Sequence, residues 1–360
     1  MLPDTAQRRL DSIRGLSRQG KRINGLFRLM ACPHLWERAY VEIASNKGAL
    51  TRGVTGNTLD GFSLERVRAL IARVMAGSYR FTPVRRVHIP KPNGKTRPLG
   101  IPTADDKLVQ GVVKLLLELV YEPVFSRHSH GFRRGRSCHT ALSAIKDTWT
   151  GVKWLVDVDV VGFFDNIDQD TLMELVKRRV SDRRVLKLIR QWLEAGVMEE
   201  GTVRSSTTGT PQGGVISPLL ANIYLHALDA EWQDRHRHLG RLVRYADDFV
   251  VLCRTKAQAN EALKVLGDIL GRLRLTLHPT KTQVVETGLG KEGFVFLGCY
   301  FRAVRAYFTQ RTYLFRWPSP KAMKSIRAKV RALTDRRRRA GMRTGADARE
   351  PRSSMSPTAR

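Results

Sequence analysis

Apolar positions recur along this chain at spacings that switch between helical and extended periods, and each switch marks an element. In residues 1–45 basic and apolar positions alternate, with Leu26, Phe27, Met30, Leu35, Trp36 and Tyr40 spaced to share buried helical faces, so a basic helical N-terminal extension is expected. A stretch rich in Gly, Thr and Asn from Asn46 to Gly61 reads as a loop before a helix over 64–75. Val84 to Ile89 and Thr96 to Leu99 flank Pro92-Asn93-Gly94, the pattern of two extended segments joined by a tight turn. Dense apolar residues at helical spacing follow from Asp105 to Val124, and then a basic loop through His130 to Arg136, where glycines permit close approach of a phosphate backbone.

The middle of the chain is richer in extended signals. Trp154 to Val160 reads as a strand, Thr171 to Ala195 as one or two helices, and Val215 to Trp232 as another helix. Leu242 to Ala246 and Phe249 to Cys253 are short apolar runs separated by Asp247-Asp248, which predicts a β-hairpin with an acidic turn. A helix over 256–273 leads through Leu275-Thr276-Leu277 into a loop with Pro279 and Lys281. Extended or hairpin elements are expected over 294–300 and 306–317, then a basic helix from Lys321. This order predicts an α+β fold, a mixed or antiparallel sheet covered by helices on one face. Arg336 to Arg339 and the Gly, Ser and Pro content beyond them predict a basic disordered tail over 335–360.

Charge changes the picture most. The 360 residues carry 63 Lys and Arg against 33 Asp and Glu, a formal net charge of +30, which exceeds what solubility needs and has the sign that suits a polyphosphate partner. Cys32, Cys138, Cys253 and Cys299 are scattered without metal-ligand spacing, so a reducing compartment and no zinc are expected. The longest apolar stretch, near Leu115 to Val120, is too short to cross a bilayer and no signal core opens the chain. No membrane association and a cytoplasmic location follow as expectations.

Against that basic background the acidic residues stand out. Asp159 falls at the end of a predicted strand, and Asp247 with Asp248 at a hairpin turn, so packing the two elements together would converge three carboxylates. Transfer of a nucleotidyl group to a hydroxyl is served by two divalent ions on such rigid hard-oxygen ligands. Spacing alone does not choose Asp159 over Asp157, and an Asp pair in a turn is also ordinary turn chemistry. Thr210-Pro211-Gln212-Gly213-Gly214 offers either a contact to a templating strand or a flexible helix entrance. Lys91, Lys95 and Arg97 suit either a triphosphate or a solvated hairpin, and Lys281 either a phosphate or the surface.

Taken together these residues resemble the reverse transcriptases encoded by bacterial group II introns. The resemblance runs through Asn46 to Ala49, Pro90 to Lys95, Arg97 to Thr103, Ser129 to Arg133, Asp159 to Asp168, Thr210 to Gly213, Tyr245 to Asp248, Leu277 to Thr282 and Phe296 to Gly298. It implies a right-hand polymerase with fingers over 46–150, a palm with some finger elements over 151–300, and the palm end with a partial thumb over 301–334. It also implies Mg2+ (two ions) on Asp159, Asp247 and Asp248 as the catalytic set. Phe164 would lie beneath the incoming sugar, Gln212 in the palm loop, and Lys91 with Arg97 at the triphosphate. The implied partners are group II intron RNA, an RNA template with a DNA primer, and dNTPs. The implied activity is RNA-directed DNA synthesis supporting intron mobility and splicing. An RNA-binding maturase or inactive truncated remnant, and a domesticated or defence-associated reverse transcriptase, are the alternatives. Two departures bear on these expectations. Thr55 stands in Gly53-Val54-Thr55-Gly56 where the family carries Asp, and the thumb-like start at Ser319 to Leu333 passes into the Arg-rich tail, so a truncated thumb and no endonuclease module are expected.

Overall fold

Helix α1 (Asp4–Arg18) forms because its apolar residues return to one side, where Leu10 and Ile13 are buried. It is followed by α2 (Leu26–Leu29) and by α3 (Pro33–Ala44), which opens with Pro33, a residue whose missing N–H costs nothing in a first turn. Ser63 caps α4 (Leu64–Met75) by accepting from the Arg66 N–H. Strands β1 (Val84–Pro90) and β2 (Thr96–Ile101) pair antiparallel, and Thr103 then caps α5 (Ala104–Tyr121). Helix α5 is buried on nearly every side, with Asp106, Lys107 and Gln110 among its buried residues, and α1 and α3 pack against it. The structure, a computed structural model, describes residues 4–46, 48–90, 94, 96–199, 202–204, 209 and 213–334. The expected tail at 335–360 lies outside these residues.

Helix α6 (Cys138–Asp147) was not expected from apolar spacing, although Ser137 and Thr140 form a capping box at its start. After β3 (Trp154–Val158), the helical stretch resolves into α7 (Gln169–Lys177) and α8 (Arg183–Glu194). The first ends at its C-cap Arg178, and Asp182 caps the second by accepting from Arg184 and Val185 N–H. Short strands β4 (Val197–Glu199) and β5 (Thr202–Arg204) precede α9 (Ser217–Glu231), which widens into a π-turn over Trp232–His236. Strands β6 (Arg241–Tyr245) and β7 (Asp248–Cys253) form the expected hairpin. Helix α10 (Lys256–Arg272) and β8 (Gln283–Glu286) follow.

Two sheets lie in the unit Met1–Glu286. The order β6-β7-β3-β8 is antiparallel throughout, whereas β2-β1-β4-β5 is mixed because β1 and β4 run parallel. Mixed pairing therefore belongs to the sheet without the acidic hairpin. Alternate residues of β3 and β7, Val156, Val158, Phe249 and Val251, enter the main core with Leu172, Leu220 and Leu266 of α7, α9 and α10. Among the described residues no helix is long and apolar enough to cross a membrane.

The second unit, Thr287–Arg360, contains β9 (Phe294–Phe296), β10 (Cys299–Arg305) and β11 (Thr312–Pro318) in the antiparallel order β11-β10-β9. The last strand starts later than its apolar run suggests, because Ala306 N–H bonds the Arg311 carbonyl and Gln310 takes a positive φ of 54° in the turn. Helix α11 (Pro320–Thr334) follows, with no buried residue.

Candidate active site

Strand register brings the acidic residues together. In the β3·β7 ladder Asp157 pairs with Val250 and Val158 with Phe249, so one further step sets Asp159 opposite Asp248. Because side chains alternate along a strand, Asp157, Asp159 and Asp248 share a face. Across the hairpin Tyr245 pairs with Asp248, leaving Ala246 and Asp247 as the two turn residues, with Ala246 at φ +57°. The sequence pattern put both acidic residues in the turn. Closure of the Tyr245·Asp248 pair instead makes Asp248 the first residue of β7, where the sheet fixes its direction.

The end of β3 is held by the segment expected to be a loop. His278 N–H donates to the Asp159 carbonyl at 2.8 Å, the Thr282 hydroxyl donates to the same oxygen at 3.2 Å, and Asp159 N–H donates to Thr282 Oγ1 at 3.3 Å. Lys281 Nζ reaches Asp159 Oδ2 at 2.7 Å, so the lysine belongs to the site.

Burial, followed by the charges of Asp247, Asp159 and Asp157, pushes the Asp248 carboxyl up to about 6, with Lys281 offsetting part of this. Burial also pushes Asp157 up to about 6; a hydrogen bond from Gln283 opposes the rise and the charge of Asp159 adds to it. The Asp247 carboxyl is raised first by burial and then by Asp159, while its own backbone, Arg97 and Arg244 draw it back. Asp248 is crowded on its sheet side but open to solvent on the other, so water and salt screen part of the repulsion.

The cluster is short of positive charge and its donors are hard carboxylate oxygens, the combination that fits divalent ions of the Mg2+ kind. Among the described residues no three His, Cys, Asp or Glu side chains are already gathered at metal-holding distance. Asp159 is engaged by Lys281 instead, so this ammonium and a cation compete for the same oxygen.

Several residues that sequence reasoning missed hold the hairpin in place. Arg244 is fully buried in β6; its guanidinium pairs with Asp229 and donates to Asn222 Oδ1 at 3.0 Å, Ser129 Oγ at 2.8 Å and the Ala246 carbonyl at 2.8 Å. The available signal was an arginine within an apolar strand, which a buried partner must satisfy. Gly131 packs on the acidic turn so closely that a Cβ there would stand 2.3 Å from the Ala246 nitrogen. Gly131→Ala is therefore expected to displace the turn and lower stability by about 1–3 kcal/mol, which thermal melting checks.

Phe164 sits in the short turn after β3, 5.3 Å from the Phe163 ring and nearly edge to face, and both rings are buried in the core. Gly209, at φ +85°, bonds the Ile167 carbonyl and lies where a Cβ would stand 2.9 Å from the Asp165 oxygen, so the chain approaching residues 210–212 is pinned to this turn. Gln212 and Lys91 lie outside the described residues. Arg97, on β2, is close enough to act on Asp247.

The family model described as reverse transcriptase (RNA-dependent DNA polymerase) matches residues 89–301, a span that includes every element bearing the acidic cluster. This chain belongs to that family. The chain is 49% identical over 205 residues to the group II intron-encoded protein LtrA of Lactococcus lactis subsp. cremoris, a match covering 57% of this chain and 34% of LtrA. It is 33% identical over 353 residues to protein YkfC of Escherichia coli K12, covering 87% of this chain and 91% of YkfC. A third relative, an uncharacterised 91 kDa protein in the cob intron of Schizosaccharomyces pombe, is 34% identical over 316 residues, with 72% of this chain and 39% of that protein covered. The chain thus spans about a third of the length of LtrA.

Proposed function

We propose that this reverse transcriptase extends a DNA primer on an RNA template, in the service of a group II intron, with Asp159, Asp247 and Asp248 as its catalytic carboxylates. The observation that carries this reading is the register that sets Asp159 opposite Asp248, one residue from Asp247. In this reading residues 46–150 serve as fingers, 151–300 as palm, and 301–334 as the palm end and part of a thumb, with 1–45 a basic helical lead-in. Intron RNA, template, primer and dNTPs are the partners, and the cytoplasm, which supplies them, is the location.

Mg2+ bound to these carboxylates would supply Lewis-acid activation of the primer hydroxyl and charge stabilisation at the triphosphate. The residues themselves do the rest. The sheet fixes Asp159 and Asp248 face to face, so little reorganisation accompanies the transfer. Lys281 balances Asp159 in the free protein and is released toward the triphosphate when that carboxylate takes another partner. Arg97 neutralises phosphate oxygens from β2, Lys91 is assigned the same charge role, and Gln212 orients the template pair. Primer extension on an RNA template with purified protein tests the proposal. RNA binding without any extension would favour the maturase reading.

The same reading assigns the sugar gate to Phe164. A filled apolar surface excludes a 2′-hydroxyl by sterics and by denying it a hydrogen-bond partner. Phe164→Val is expected to retain deoxynucleotide incorporation and to relax ribonucleotide exclusion by about 1–3 kcal/mol, roughly 5- to 150-fold. The ratio of single-nucleotide incorporation efficiencies for matched dNTP and rNTP measures it; an unchanged ratio in an active variant removes the assignment.

A further inference from the structure

At the end of β6 remote from the acidic turn, a recess of about 400 Å³ opens between the loop before Ser129 and the π-turn that closes α9. Its walls include Arg127, His128, Arg237, His238 and Arg241, with buried Trp232 beside them. Arg127 Nε and Arg241 Nη1 each lie 3.1 Å from the same atom, Nε2 of His128. Two guanidiniums thus converge on one imidazole nitrogen. Burial, then the charges of Arg241, Arg127 and Arg136, hold the His128 imidazole down to about 4, so it remains a neutral acceptor between them.

Among the described residues the carboxylate at this recess is Asp229, whose charge acts on His128 but falls behind those of the arginines. Asp229 lines the recess, but it is buried and spent on Arg244, and among the described residues none of Arg127, Arg136, Arg237 and Arg241 forms an ion pair. Like charges held together in a partly enclosed space repel, and an anion placed between them relieves that repulsion. Planar guanidinium forks are matched in geometry to phosphate oxygens. The π-turn supports this, since such widened turns recur at functional sites.

We propose that this recess is a phosphate-binding site, distinct from the carboxylate cluster, which takes a backbone phosphate of RNA or the phosphate of a free nucleotide. Four residue steps of β6 separate Arg241 from Tyr245, roughly 13 Å at strand rise, so one phosphate cannot occupy both ends of the strand. The RNA source rests on the reading of the chain as an RNA-templated polymerase; the free-phosphate source does not.

The test uses the full chain, Arg127→Gln/Arg237→Gln, and the control Arg8→Gln/Arg68→Gln. All four arginines are exposed, and each pair removes the same charge. A labelled RNA hairpin is titrated at several salt concentrations, and inorganic pyrophosphate is titrated separately by calorimetry. For the RNA source the recess pair loses about tenfold in affinity and about 1.4–1.8 in the slope of log K against log salt, while the control loses clearly less. For the free-phosphate source, pyrophosphate binds the wild-type chain and the control pair but not the recess pair, with RNA slopes equal in both variants. Equal RNA losses in both pairs, together with pyrophosphate binding that is absent or unchanged, overturn the proposal. Primer extension on a saturating preannealed template separates the two readings. Recess-dependent RNA binding without extension by the wild-type chain sinks the polymerase alone, and extension with recess-independent binding sinks the recess alone.

Discussion

Asp248→Asn is expected to reduce primer extension by at least about 10²-fold, equivalent to roughly 2.7 kcal/mol of transition-state stabilisation, while RNA affinity stays near that of the parent chain. The amide keeps the shape of the side chain but loses the charge that a divalent ion needs, whereas the proposed RNA affinity would draw on the formal net charge of +30. The same substitution carries a second signature of opposite sign. Asp248 and Asp157 are pushed from 3.8 to about 6 in the folded chain, so the folded state binds protons more tightly than the unfolded one between those values. Their contribution to stability is therefore present at low pH and lost as pH rises through about 6. In metal-free buffer, Asp248→Asn should melt higher than the parent at about pH 8 and show little difference at about pH 4. Mg2+ should stabilise the parent more at the higher pH, and Asp248→Asn less than the parent. Asp247→Asn should lose synthesis similarly. Wild-type extension by both variants would end the catalytic assignment, and a lower melting temperature for Asp248→Asn at the higher pH would contradict the electrostatic account.

The second large effect concerns stability. Arg244→Met is expected to destabilise the chain by about 3–5 kcal/mol, because it strands the buried Asp229 carboxylate and removes the donor to Asn222, Ser129 and the Ala246 carbonyl. Denaturant unfolding with an unchanged m-value measures this. Arg244→Met/Asp229→Leu should recover much of the loss, since removing both charges leaves no buried charge unpaired. Extension should recover less than stability does, because the Ala246 carbonyl in the acidic turn still lacks its donor. A single variant as stable as the parent would show that the ion pair contributes no net stability.

Local pattern was enough for the α+β class, the order of most elements and the acidic hairpin, because periodicity records which side of each segment leaves water. The capped helix α6 and the three-residue strands β4 and β5 left too few apolar positions to register as periods. The choice between Asp157 and Asp159 was beyond local sequence, since two residues apart along an extended run both face the same way. Along the chain, only resemblance to known intron reverse transcriptases favoured Asp159. In three dimensions the β3·β7 register and the strap from His278 to Thr282 give the two different neighbours: Asp157 faces Val250 and Gln283, whereas Asp159 stands opposite Asp248 and takes Lys281. Arg244 and Arg241 make the same point from the basic side. As letters they are two more arginines in a basic chain, but the fold buries one against Asp229 and turns the other toward Arg127 across a shared imidazole. Sequence determines which residues seek burial, charge or water; which charges meet is decided by register and packing between segments far apart in the chain, because electrostatic energy depends on separation in space.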